Sequence, residues 1–328
     1  MEIGDQGPAS ASKANLKLKL AYRTKSGSCF QGLAEQFLLS PFADAYRGKV
    51  DLIFTSPPFP LNRKKKYGNF QGKEYVRWFS SFASLLRDFL KPSGSIVIEV
   101  GNSWIPGKPV MNTLALESLL AFLRKGRFFL CQQFVWHNPA RLPSPAQWVT
   151  VERIRLKDSF THLWWMSRSA RPKADNRRVL VEYSDSMKRL LISQSYNSGK
   201  RPSEHNIGKK SFLKNNRGAI PSNVLTVPLE YPDRNDVPSS VIKLPNTQAS
   251  TRYLKYCREH KLEPHPARMP IGLPEFFIKF LTDPGDLVLD PFGGSNITGF
   301  AAERLGRRWI SIEPNTDYVR GSRGHFLQ

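Results

Sequence analysis

The sequence predicts an open α/β sheet assembled from two separated stretches of chain, and three observations predict it. Short continuous apolar runs alternate with amphipathic stretches from Val50 to about Ser167. The same alternation returns after residue 260. The span between them is rich in Arg, Lys, Asn, Ser and Pro and reads as an insertion. Strands that are apolar throughout are buried on both faces, which calls for helices on each side of the sheet.

Taken in order, residues 1–15 are Ser, Ala, Gly and Lys rich without periodicity, and are expected to form a mobile basic tail. VDLIFT (50–55) is the first clear strand, and EYVRWFSSFASLLRDFL (74–90) is a helix whose apolar residues recur at helical spacing. SIVIEV (95–100), LALESLLAFLRK (114–125), FFLCQQFVWHN (128–138) and HLWWMS (162–167) continue the alternation. We divide the chain at 16–169, 170–259 and 260–328. The last part holds the helix LPEFFIKFLTD (273–283), the strand DLVLD (286–290), the turn PFGGSN (291–296), the helix ITGFAAERLG (297–306) and the strand RRWISIE (307–313).

Lys and Arg number 49 against 27 Asp and Glu, a formal charge of +22. Solubility needs far less, so a polyanionic partner is expected. A membrane is the other use for positive charge, but no apolar run approaches the roughly 20 residues of a spanning helix. The start MEIGDQGPASASKANLKLKL lacks the apolar stretch of a signal peptide, so a cytoplasmic protein is expected. Cys29, Cys131 and Cys257 are far apart and form no C-x-x-C pair, which argues against disulfides and against a metal site.

DLVLD ends at Asp290, and the strand after the glycine turn ends at Glu313, 23 residues later. In a Rossmann-like sheet ligands sit beyond the carboxyl ends of the strands, where an acidic side chain at this spacing accepts the hydroxyls of a ribose. Gly293 and Gly294 allow close approach of backbone to a ligand. A full G-x-G-x-x-G and a G-K-S/T are both absent, which lowers the dinucleotide and nucleoside triphosphate readings.

VDLIF delivers Thr55-Ser56-Pro57-Pro58-Phe59 to the same edge. An aromatic amino group such as that of cytosine is a poor nucleophile until acceptors hold its two hydrogens. The Ser56 hydroxyl oxygen and the Pro57 carbonyl supply two. Tandem prolines fix φ and add no competing N–H, so they preset the carbonyl direction. Phe59 offers a face on which a base turned out of a duplex can stack, worth roughly 1–3 kcal/mol. Glu99, ending SIVIEV, either strengthens Ser56 as an acceptor and relays a proton or forms a structural salt bridge. Trp136, His137 and Asn138 end another strand, either lining the base pocket or serving as a core Trp beside a surface His. Arg63, Lys64, Lys65 and Lys66 directly follow the catalytic turn and read as a phosphate-contacting loop. No Pro-Cys dipeptide is present, which disfavours covalent methylation of a cytosine ring carbon.

TSPPFPL, DPFGGSN and HPARMPIGLPEFFIKFL together resemble the β-group amino DNA methyltransferases, in which the catalytic motif precedes the cofactor motif. SPPFPLNRKKKYGN, RPSEHNIG and AIPSNVL also look like segments of these enzymes, so the similarity spans roughly Tyr22 to Val319. The resemblance implies a Rossmann-like methyltransferase sheet that binds S-adenosyl-L-methionine, with 16–169 as its catalytic part, 260–328 as its cofactor part and 170–259 as a target-recognition region. Asp290, Phe292, Gly293 and Ser295 would border the methionine moiety and Glu313 the ribose, with Gly294 and Thr55 also on the cofactor side. Serine opening S-P-P-F resembles cytosine-N4 enzymes more than adenine-N6 ones. The implied activity is methylation of cytosine N4 in double-stranded DNA, in a prokaryotic cytoplasm, with a cognate restriction endonuclease as functional partner. Adenine-N6 transfer and an inactive DNA-binding protein of the same fold are the alternatives. Relatives often carry Gly-Asp after the early strand, whereas this chain has Gln31-Gly32-Leu33.

Overall fold

The computed structural model describes residues 17–59, 70–139, 141–226, 242–243 and 248–327. A hairpin of β1 (Lys19–Arg23) and β2 (Gly27–Gln31) leads into the short helices α1 (Ala34–Leu38) and α2 (Pro41–Asp44). The expected alternation follows as β3 (Val50–Thr55), α3 (Gly72–Phe89), β4 (Leu90–Gly101), α4 (Leu114–Gly126), β5 (Phe129–His137) and β6 (Phe160–Ser167). Next come α5 (Asp185–Ser193), β7 (Gly199–Lys200), β8 (Asn206–Ile207), β9 (Val224–Thr226), β10 (Ile242–Lys243) and α6 (Gln248–Glu259). The chain closes with α7 (Gly272–Leu281), β11 (Leu287–Asp290), α8 (Ile297–Arg304), β12 (Arg308–Glu313) and α9 (Thr316–Ser322).

The described strands form a ten-stranded sheet in the order β1-β2-β12-β11-β3-β4-β6-β5-β9-β10. β2, β12, β11, β3 and β4 run parallel, and β6 turns against both β4 and β5. Both faces are covered, as the apolar strands required. On one face α3 buries Tyr75, Phe79, Phe82, Leu86 and Phe89, a single stripe at helical spacing, and packs beside α4. On the other, Leu273, Phe276, Phe277 and Ile278 of α7 join Phe54, Val97 and Trp309 in a second core. Each such side chain fully withdrawn from water contributes about 1.5–3 kcal/mol. Among the described residues no helix is long and apolar enough to cross a membrane.

The segment 170–259 does not stand apart along its whole length. β9 lies parallel to β5 and carries the fully buried Leu225 into the second core. At the other end α6 packs on α9, where the Tyr253 ring and Cys257 sulfur fill the space that the missing side chain of Gly321 leaves. Among its described residues 182–218 project, closed at their base by two hydrogen bonds between Val181 and Ala219 of 3.0 and 2.9 Å.

A charge cluster fastens the amino ends of the central strands. Buried Asp51 accepts from Lys91 Nζ at 2.7 Å and from the Leu287 amide at 3.0 Å, which joins β3, β4 and β11. Lys173 reaches the same carboxylate at 4.0 Å, and also Asp283 and Asp286 at 2.7 and 2.5 Å. Burial pulls the Lys173 ammonium down, but its bonds to Asp283 and Asp286 outweigh this and hold it above the ordinary lysine value. Asp51→Ala leaves the buried Leu287 amide without its acceptor and is expected to cost about 1–3 kcal/mol of unfolding free energy in urea titrations. Asp51→Asn, which keeps an acceptor for the Leu287 amide, should cost less.

Candidate functional site

Because β4, β3, β11 and β12 are neighbours running the same way, their carboxyl ends form one edge. The chain steps from β3 outward to β4 and from β11 outward to β12 in the opposite direction. The crevice at such a reversal is where open α/β sheets hold ligands. Thr55, Ser56, Glu99, Asp290 and Glu313 all arrive there, although up to 258 positions separate them in sequence.

Two hydrogen-bonded joints organise the edge. The Thr55 hydroxyl donates to Asp290 Oδ1 at 2.7 Å, bridging β3 to β11, and the Phe292 amide donates to the same oxygen at 3.1 Å. Glu313 accepts the Gly294 amide at 2.9 Å and the Asn315 amide at 2.8 Å, so its carboxylate is fixed against the glycine turn. Burial dominates both acids. It pushes Asp290 up to about 6, against the Thr55 and Phe292 bonds that pull it down, and Glu313 up to about 7, against its two amide donors.

Beyond β3 the Ser56 hydroxyl hydrogen-bonds the Glu99 carboxylate. Glu99 is 5% exposed, and burial raises its affinity for protons while Ser56 and the charge of Arg141 oppose the shift. Glu99 thus faces Ser56 in the first of the two arrangements the sequence left open. Pro57 is buried and Pro58 half-buried. The Phe59 ring lies so close to Gly101 that a Cβ there would meet its Cε2 at 2.8 Å. Gly101 is thus a site-shaping residue that the sequence did not single out, since its partner is 42 positions away.

Several assignments take a different physical form. Gly293 is required chiefly by Ser311, whose Oγ would lie 2.0 Å from an added Cβ, while Gly294 sits at φ +53°, the left-handed region that favours glycine. Phe292 is wedged edge-on between Trp78 and Phe82, with ring centroids 5.9 and 5.2 Å away. Ser295 is buried in the turn. Where relatives often carry Gly-Asp, Gln31 Nε2 donates to Thr316 Oγ1 at 2.6 Å and the Gly32 amide to the Glu313 carbonyl at 3.2 Å, so this stretch braces the end of β12. Trp136 is buried in the second core, and His137 and Asn138 lie at the edge beyond it. Arg63, Lys64, Lys65 and Lys66 fall outside the described residues. His162 was unmarked in the sequence except as part of a strand. Its Nε2 lies 2.8 Å from Asn102 Oδ1 and its Nδ1 3.0 Å from Gln133 Nε2, which ties β6 to β5 and to the residue that follows β4.

A switch-point crevice that gathers Ser56, Glu99, Asp290 and Glu313 at the carboxyl ends of parallel strands marks the ligand-binding edge of an open α/β sheet. The sequence matches the DNA methylase family over residues 50–323, and the chain belongs to that family. It is 41% identical over 329 residues to the type II methyltransferase M.PvuII of Proteus hauseri, covering 100% of this chain and 91% of that protein. The solved PvuII DNA methyltransferase, described as cytosine-N4-specific, superposes with a TM-score of 0.71 at 36% identity, covering 96% and 91% of the two chains. A DNA modification methylase of Thermus thermophilus, solved with S-adenosyl-L-methionine, shares the fold at a TM-score of 0.51 and 17% identity, covering 90% and 91%.

Thr55→Val keeps the shape of the strand and removes the donor to buried Asp290. Urea unfolding should show a loss of about 1–3 kcal/mol, the cost of leaving a buried acceptor short of a partner. An unchanged midpoint would show that the Thr55–Asp290 joint carries no stability.

Proposed function

We propose that this protein methylates cytosine N4 at a specific site in double-stranded DNA, using S-adenosyl-L-methionine. The observation that carries the reading is Ser56, bonded to Glu99 and one residue from the Thr55 link to the cofactor strand. The similarity to a cytosine-N4-specific enzyme over nearly the whole chain supports the choice of base.

The donor set fits the cofactor. Glu313 keeps lone pairs beyond its two amide bonds for the ribose hydroxyls, and Asp290 lies on the neighbouring strand end toward the methionine part. Phe292 and Ser295 flank the same turn. When bound, the cofactor supplies a methyl group activated by its sulfonium. The protein's own residues align and polarise the amino group. Ser56 Oγ and the Pro57 carbonyl accept its two hydrogens, which draws the nitrogen lone pair out of conjugation. Glu99 holds the serine's hydroxyl hydrogen, so the Oγ lone pairs point outward, and it can receive the proton that the nitrogen sheds. Burial makes Glu99 the better base for this task. Phe59 stacks on the turned-out base.

DNA engagement follows from charge. The projecting segment 182–218 carries eight basic and three acidic residues and supplies the base-reading surface of the 170–259 region. Arg63, Lys64, Lys65 and Lys66 are assigned to phosphates flanking the target. The enzyme would act in a prokaryotic cytoplasm, at the nucleoid through its DNA, as the protecting half of a restriction–modification pair.

Nucleoside analysis of duplex DNA methylated by the pure protein should yield N4-methylcytosine. N6-methyladenine alone would overturn the choice of base. Ser56→Ala should lower the single-turnover rate by on the order of 10²–10³, as for loss of one preorganised group at a reacting centre.

The cofactor affinity should also depend on pH. Burial pushes Glu313 up to about 7, and its ionised form accepts the ribose hydroxyls. Protonation competes with binding, so affinity should rise as pH increases through 7 and then level off. Calorimetric titration of S-adenosyl-L-methionine between pH 6 and 8 checks this, and Glu313→Gln should remove the midpoint near 7 along with much of the affinity.

A further inference from the structure

The chain between β5 and β6 leaves and re-enters the sheet at the catalytic edge, because β5 runs alongside β4 in direction and β6 against both. Gly101, on which Phe59 rests, pairs with Thr161 at the start of β6. Residues 141–159 therefore start and finish at the edge that carries Ser56 and Glu99, and the charge of Arg141 acts on Glu99. Their surface combines exposed apolar side chains with an excess of positive charge. Leu142 is 83% exposed and Leu156 90% exposed. Around them are Arg141, Arg153, Arg155 and Lys157 against only Glu152 and Asp158.

This exposure is not looseness. Lys157 Nζ donates to the Pro139 carbonyl at 2.9 Å and the Arg141 carbonyl at 3.5 Å, tying the two legs of the loop together. The Ile154 and Arg155 amides both donate to the Trp148 carbonyl, at 3.0 and 3.1 Å. Arg141 Nη1 bonds the Phe160 carbonyl at 3.1 Å, and Pro143 removes a rotation next to Leu142. Leu142 and Leu156 thus each sit one residue from braced backbone on opposite legs. Rigid backbone holds an apolar side chain in water, which brings the isolated fold no gain.

We propose that Leu142, backed by Leu156, is a wedge that enters duplex DNA beside the target base and fills the space left when that base turns toward Ser56. The proposal rests on the reading of this protein as an enzyme that modifies a base in duplex DNA. Apolar side chains inserted between base steps offset the unstacking that such a movement costs. Duplex DNA fits this surface better than a second copy of the chain, because two copies would bring like positive charges together whereas phosphates neutralise them. The adjoining Arg141, fixed to the start of β6, couples the wedge to the strand end that faces Glu99.

The test uses the full-length chain and two duplexes containing the site at which it methylates DNA, located by methylation-sensitive sequencing. One duplex is fully paired, and the other has an abasic site opposite the target base, so that little unpairing remains to be done. On the paired duplex Leu142→Ala should slow single-turnover methylation on the order of ten- to a hundredfold, the equivalent of losing part of the unstacking compensation. On the abasic-opposed duplex the variant should run close to the wild-type rate, and Leu142→Ile should retain activity on both. Equal losses on the two duplexes, or no loss on either, would overturn the wedge. So would a Leu142→Ala change in sedimentation with no change in duplex preference, which would make this surface a contact between copies. If the modified base proves to be adenine, the same comparison runs at that base, and the cytosine assignment falls while the wedge stands or falls by itself.

Discussion

The hydrogen bond from Thr55 to Asp290 is the joint on which the rest of the molecule turns. It connects the strand that presents Ser56 to the strand that leads into the glycine turn, across 235 positions of sequence. Without that adjacency neither half is chemically complete. In the proposed reading Ser56, Pro57 and Phe59 orient an amino group but have no donor of a methyl group, and Asp290 and Glu313 hold a nucleoside but have nothing to act on. The order of the strands in the sheet, with one reversal at this pair, turns two unrelated sequence patterns into one crevice.

The two ends of the same strands are treated in opposite ways electrostatically. At the amino ends Asp51, Asp283 and Asp286 are matched by Lys91, Lys173 and Arg178, so charge is neutralised within the fold. At the carboxyl ends Glu99, Asp290 and Glu313 receive hydroxyl and amide hydrogens, and burial pushes all three toward protonation. Perturbed acids gathered in a crevice mark a functional site because their remaining valence is left for a ligand. The amino edge holds the sheet together, and the carboxyl edge stays poised.

Much of this was legible in the sequence because it depends on local order. VDLIFT, SIVIEV and DLVLD could be read as buried strands from their unbroken apolar runs, and S-P-P-F with an acid-ended strand pair named the edge where they finish. The parts that were not legible depend on partners distant in sequence. Gly101 looks like an ordinary strand end until Phe59 lies on it, and Gly293 answers to Ser311 as much as to any ligand. Val224–Thr226 is too short to show a period, yet β5 gives it a place in the sheet. Arg141 gave no signal at all, since the pattern of a loop does not say which strand end it will face.

The closure between Val181 and Ala219, with Lys173 fastened before it and β9 seated after it, has a consequence for how such an enzyme changes over time. The segment between is exposed, and its few internal ties, such as the Tyr183 hydroxyl accepting the Asn216 amide at 2.8 Å, stay within it. Substitutions there are insulated from the core, so they alter neither the packing of the sheet nor the placement of Ser56. Lineages could therefore exchange what lies between the two clasps much as a key is recut on an unchanged bow, while the sheet and the edge it presents are inherited intact.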